Sequence, residues 1–351
     1  SHYGAFYGKV EGIDANTFEY MIFLFGGKFM FIYAFLFGYG FWLQYQQKVN
    51  MPRFVNYWAT RMLLLAGIGI LHLLLLSFGD ILLPYALLGL SLPFWGKQSN
   101  TTLIICFFII NLIPFYEFLA RFFFDYESVF TQPVVSLEEY IKVNRSGSYI
   151  DIMILRLKDY FSFGNEKLIW YVPKELSLFL AGVLAARMQV AELAFKRWVL
   201  LFLFVAFSFT VLMYLFSDNI IAFFDYEEKL LDRILLGLII HFSEVFHGFL
   251  YILAFWLIWK ISVFSRLLHF FTYPGRMSLT NYLCQSAICL FIFSGLDYYG
   301  QLTPTDLLLL ALGIYLLQVI LSYFWLKKKK QGPVEYIWRK LSNALSIGEV
   351  K

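Results

Sequence analysis

Runs of about 20 apolar residues recur along this chain more often than a water-soluble core could absorb. A helix rises about 1.5 Å per residue, so roughly 20 residues cross the ~30 Å hydrocarbon layer of a bilayer. Nine stretches meet or approach that length: about 19–43, 60–77, 80–96, 102–124, 167–188, 197–217, 236–260, 279–297 and 305–326. Of the 351 residues, 60% are hydrophobic and 15% charged. Ordinary soluble domains run nearer 45–50% and about 25%. Lipid therefore has to solvate most of these side chains. The fold class expected is all-α, a polytopic transmembrane helix bundle of about nine spans, with residues 1–351 forming a single integral membrane domain.

The segment 80–96 is the weakest of the nine, being short and holding Pro84 and Pro93. It follows 60–77 after a turn at Ser77-Phe78-Gly79-Asp80, so the two read as a tight helical hairpin. The long connection 125–166 is mixed in charge, and 149–163 within it is amphipathic, as expected of a helix that lies on the membrane or caps the bundle. Lys and Arg concentrate on one side when the spans alternate: Lys48, Arg53, Arg61, Lys97, Arg187, Arg266, Arg276 and the run Lys327 to Lys330. The positive-inside rule makes that side cytoplasmic, together with the basic tail 327–351, and makes the connection 125–166 extracytoplasmic. The expected arrangement is multi-pass with the C-terminus in the cytoplasm. Cys106, Cys284 and Cys289 lie in apolar runs and form no CxxC pair, which argues against a metal knuckle or redox motif.

Ionisable groups inside spans cost a few kcal/mol each, so they mark cavities or partners. Lys28 lies near the middle of the first span and His72 in the outer third of the second, with Asp80 opening the third. Glu117 and Arg121 are one turn apart, a natural ion pair. His241, Glu244 and His247 fall within about 120° of one helical face. Glu244-x-x-His247 is half of a di-metal carboxylate motif with no second copy, so no metal site is expected. Arg61, Arg276, Asn281 and Gln285 form a second polar group toward the cytoplasmic end. The expectation is a polar cavity open to the outer side, where His72 and Asp80 face His241 and Glu244.

Four motifs carry a resemblance. They are Leu36-Phe37-Gly38-Tyr39-Gly40-Phe41; Arg61 with Gly67-Ile68-Gly69-Ile70-Leu71-His72, continuing to Gly79-Asp80-Ile81-Leu82; Gly275-Arg276-Met277-Ser278-Leu279-Thr280-Asn281-Tyr282 with Gln285-Ser286; and Gly332-Pro333-Val334-Glu335-Tyr336-Ile337-Trp338-Arg339. Their order and spacing resemble the bacterial YeiB-like family, whose C-terminal half is catalogued as domain of unknown function 418. Members of that family usually begin with one further helix, which would bring the count to ten spans with both ends cytoplasmic. The family is distantly similar to the membrane acyltransferases, which move acyl groups from a cytoplasmic donor to an acceptor and use a membrane-embedded His.

That similarity implies an acyltransferase-like enzyme. His72 would act as general base or transient acyl carrier, with Asp80 or Glu244 orienting its ring. Lys28, Arg61 and Arg276 would hold the anionic part of a donor such as acyl-CoA. Glu117, Arg121, His241, Glu244, Asn281 and Gln285 complete the expected substrate-binding set. Two other readings stand beside it: a transporter or lipid-handling protein that uses the same intramembrane charges, and a non-catalytic membrane partner or sensor. The partners expected are membrane lipids and an acyl donor or small-molecule substrate, and not nucleic acid.

Overall fold

A computed structural model describes residues 12–49, 53–77, 79–112, 136–162, 172–189, 197–224 and 229–347, and among these the chain is helical with no strand. Each of the nine apolar segments contains helix. The first holds α1 (Ile13–Phe25) and α2 (Lys28–Lys48), the second α3 (Phe54–Leu75), and the third the short α4 (Leu82–Gly89) and α5 (Leu92–Trp95). Then come α6 (Asn100–Ile110), α7 (Leu137–Ser146), α8 (Tyr149–Ser162), α9 (Val172–Arg187), α10 (Arg197–Leu215), α11 (Ser217–Phe223) and α12 (Leu230–Lys260). The chain ends with α13 (Ser262–Leu268), α14 (Thr272–Gly275), α15 (Ser278–Leu290), which runs into a π turn at Phe291–Gly295, α16 (Pro304–Lys328) and α17 (Pro333–Ile347).

By length and composition, 13–48, 54–75, 234–260 and 304–328 can each cross a bilayer, and the bent pair 269–275 and 278–295 makes a fifth candidate. The others give shorter described helices. In 80–96, α4 ends at Gly89 and α5 begins at Leu92 with Pro93 in its first turn, where a missing N–H costs least. In 102–124 and 167–188, part of each expected span lies outside the described residues.

The centre of the bundle is α9. Ser177, Leu178, Phe179, Leu180 and Val183 point in successive directions around it, and all are buried. A helix buried on every side belongs in the middle of the layers. Its closest neighbour is α2. A Cβ at Gly38 would lie 2.0 Å from the Phe179 carbonyl oxygen, and one at Gly182 would lie 2.0 Å from that of Phe35. Only a paired loss of side chain lets the backbones meet this closely, the usual device between helices in lipid. At the periphery, Leu63, Phe204, Phe291 and Leu309 are exposed, as suits a bilayer and not water.

Two amphipathic layers close the ends. At one end α7 and α8 lie over α3 and the π turn. Arg156 donates to the Leu74 carbonyl at 3.3 Å, and Tyr149 donates to that of Leu75. Arg145 grips Asp297 through two bonds of 2.8 and 3.0 Å. At the lysine-bearing end, α17 packs on α3 and α15. The Trp338 indole donates to the Arg61 carbonyl at 2.9 Å, and Glu335 accepts the Thr280 backbone N–H at 3.0 Å in the first turn of α15. A carboxylate at a helix N-terminus meets unsatisfied donors and the favourable end of the dipole. The motifs around 275–282 and 332–339 thus hold one another.

Candidate functional site

His72 sits in the last turn of α3, with 1% of its surface exposed. The chain turns after α3 and returns Asp80 to the imidazole, where Nδ1 and the carboxylate Oδ1 are 2.9 Å apart and both side chains are fully enclosed. The other carboxylate oxygen, Oδ2, accepts the Leu83 N–H at 2.7 Å in the first turn of α4. Asp80 therefore ties the start of α4 to the ring of His72. The approach depends on Gly69, one turn before His72. A Cβ there would stand 2.6 Å from the Leu83 nitrogen and 3.0 Å from Asp80 Oδ2.

The third member arrives from α15, 214 residues away. Ser286 Oγ lies 2.8 Å from His72 Nε2. A carboxylate accepts only, so Nδ1 carries the ring proton and Nε2 is left to accept from the serine hydroxyl. The ring of Tyr282 lies over the imidazole with centroids 4.7 Å apart, and its hydroxyl donates to the Gly79 carbonyl at 3.3 Å. The result is a continuous acid–imidazole–hydroxyl chain. His72 and Asp80 are enclosed behind it, and Ser286 is partly exposed at its open end.

That end faces a cavity of about 280 Å³ beneath α7 and α8. Tyr140 and Asn144 of α7, Arg156 of α8, Gln285 and Cys289 of α15, and Tyr299 line it with Ser286. Burial raises the pKa of the Tyr140 and Tyr299 phenols well beyond the usual range, so both keep their O–H as donors at any physiological pH.

The remaining expected residues go elsewhere. Lys28 follows the break at Gly26-Gly27, where Gly27 is left-handed with φ 72°, and its ammonium donates to the Ile22 carbonyl at 3.2 Å. His241 donates from Nε2 to the Asn111 amide oxygen at 2.9 Å, and Glu244 pairs with Lys174 of α9. Arg61 donates to the Tyr57 hydroxyl at 3.0 Å and lies 4.3 Å over the Trp338 ring, and Arg276 donates to the Lys330 carbonyl at 2.8 Å. Asn281 donates to Ser322 at 3.1 Å, and Gln285 to Gln318 at 2.7 Å, forming a polar ladder between α15 and α16. Glu117 and Arg121 lie outside the described residues. Of the expected set, His72 and Asp80 touch each other, and Gln285 shares their cavity. Ser286 was legible only as part of a motif, and Arg156 only as a charge on an amphipathic helix.

Together these features define a polytopic helical bundle of membrane type, with an enclosed acid–histidine–serine chain at one end. Residues 184–344 match the family model described as a protein of unknown function, DUF418. Over those residues the chain is similar to this family. It is similar to the uncharacterized protein YxaH of Bacillus subtilis (strain 168), at 28% identity over 95% of this chain and 84% of that protein. It is also similar to the uncharacterized protein YeiB of Escherichia coli (strain K12), at 24% identity over 96% of this chain and 87% of the relative. An uncharacterized 39.9 kDa protein of Bacillus acidopullulyticus is 36% identical over 28% of each chain. No solved structure matches the chain.

Proposed function

We propose that this protein is a membrane-embedded acyltransferase that works through Ser286, His72 and Asp80. The observation that carries this reading is the serine hydroxyl 2.8 Å from an imidazole whose other nitrogen is held by an enclosed carboxylate. A hydroxyl is a weak nucleophile until a base takes its proton, and a third group has to hold that base in the right tautomer. Here Ser286 Oγ attacks the carbonyl of an acyl thioester such as acyl-CoA while His72 Nε2 takes the hydroxyl proton. The carbon–sulfur bond breaks, the departing thiolate takes that proton, and the acyl group is left as an ester on Ser286. An acceptor hydroxyl, deprotonated by the same nitrogen, then takes the acyl group, and Ser286 recovers its proton. Asp80 stabilises the imidazolium in both steps.

The Lys and Arg distribution supports an orientation with the lysine-bearing end and the C-terminus inside, and the similarity to bacterial proteins supports the cytoplasmic membrane of a bacterium. The cavity beneath α7 and α8 then opens on the outer side, where the acceptor is met, and the reading requires the acyl group of a cytoplasmic donor to reach Ser286 through the bundle from the lysine-bearing end.

The test is labelling of the purified protein in lipid nanodiscs with a fluorophosphonate, followed by peptide mapping. The reading expects modification at Ser286 that is lost in Ser286→Ala and strongly slowed in His72→Ala. A folded wild-type protein that resists the probe, or a His72→Ala variant labelled at the wild-type rate, would sink it. Counterflow of a labelled solute in proteoliposomes would then favour transport.

A further inference from the structure

The cavity in front of Ser286 has a chemistry of its own. Among the described residues that line it, Arg156 alone carries a charge at neutral pH. Its side chain is 4% exposed and is held by the Leu74 carbonyl at the end of α3, two residues from His72. Asp159, one turn further along α8, is also buried and its charge acts on the Tyr140 and Tyr299 phenols, but it is not part of the lining. The other polar groups are mostly donors or amides: the phenols of Tyr140 and Tyr299, and the side chains of Asn144 and Gln285. A buried guanidinium among neutral donors is a poor environment for an ammonium and a good one for an oxyanion, which it can grip through two parallel bonds. The volume, about 280 Å³, falls just below the usual range for drug-sized ligands, so it suits one small polar headgroup.

We infer that this cavity is a headgroup site for an anionic acyl acceptor, a small hydroxylated molecule bearing a phosphate or carboxylate that Arg156 reads while Ser286 faces its hydroxyl. The inference rests on the acyltransferase reading for the word acceptor. The anion site itself does not require Ser286 to be a nucleophile. A free polyol phosphate and an anionic lipid headgroup share this chemistry.

Cys289 lines the same cavity and supplies the test. In full-length protein with Cys106→Ala and Cys284→Ala, reconstituted in phosphatidylcholine nanodiscs, the rate of Cys289 modification is measured with anionic sulfonatoethyl and cationic trimethylammonioethyl methanethiosulfonates, each normalised to a free thiol. The site predicts a preference for the anionic reagent of roughly tenfold or more, the scale of attraction into a charged cleft. Arg156→Gln should abolish that preference, Arg156→Lys should retain part of it, and Ser286→Ala should leave it intact. Protection of Cys289 by glycerol phosphate would assign a soluble acceptor, whereas protection only on adding phosphatidylglycerol to the nanodisc would assign a lipid headgroup. Equal rates, a cationic preference, failure of both reagents to reach Cys289, or protection by neither phosphate would overturn the inference. Loss of fluorophosphonate labelling with the anion preference intact would instead remove the acyltransferase reading alone.

Discussion

Two buried histidines face opposite fates in this bundle. His72 and His241 both lie in long apolar helices and are 1% and 6% exposed. His72 is spanned by an acid on one nitrogen and a hydroxyl on the other, and the hydroxyl opens on a cavity. His241 meets the side-chain amide of Asn111, whose own Nδ2 donates at 2.7 Å to the Phe107 carbonyl one turn back in α6. The first arrangement can move a proton between groups of different acidity. The second fastens α12 to α6. Burial in a long apolar helix is common to both, so it does not single out the histidine proposed to react; the identity of its partners does.

The comparison breaks most sharply by substitution. Ser286→Ala and His72→Ala should each cut fluorophosphonate labelling by at least about a thousandfold, the scale seen when one member of such a chain is lost. His241→Ala should leave the labelling rate within about twofold. Equal losses at the two histidines would erase the distinction. Gly69→Ala comes next. The added methyl collides with the start of α4 and with Asp80, and a displacement near 1 Å should slow labelling roughly a hundredfold, with detergent-solubilised yield largely kept. A third effect belongs to the fastening histidine. His241→Ala strands the Asn111 amide and should lower stability by about 1–2 kcal/mol, read as an earlier thermal transition in nanodiscs.

The smallest effect concerns the cover over the cavity. Arg145 hydrogen-bonds Asp297 and holds its carboxyl below the usual carboxylate range. A depressed carboxylate pKa stabilises the folded state above the unfolded value, near 3.9, and that contribution fades as pH falls through the folded value. Cys289 should therefore stay equally protected from pH 8 down to about 5 and become more accessible only below about 3.9. Because the pair is exposed, Asp297→Asn at neutral pH should raise accessibility only slightly.

The apolar runs made the bundle legible, because the period and length of a spanning helix are written locally. His72 and Asp80 were legible for a related reason: polar groups are conspicuous against a hydrophobic background, and eight residues around one hairpin keep them close. Ser286 was not, because a serine inside a helix costs little and its partner lies 214 residues away. The expected meeting of His72 with Glu244 and His241 did not occur. Charge on a helical face says which way a side chain points but not which helix it meets, and α12 packs on α2 and α10. Arg156 was visible as one charge on an amphipathic stretch, but its place beside the cavity depends on how α8 folds back over α3.

The docking of α17 has a consequence for durability. His72 rides on α3 and Ser286 on α15, and near the cap end their bond to each other is a single hydrogen bond. At the lysine-bearing end the C-terminal helix reaches both of these helices, through Trp338 to Arg61 and through Glu335 to Thr280. It works as a clasp on the far ends of two levers whose near ends must stay within 3 Å. A chain cut before Gly332 would keep every residue of the site and lose the part that keeps the levers parallel.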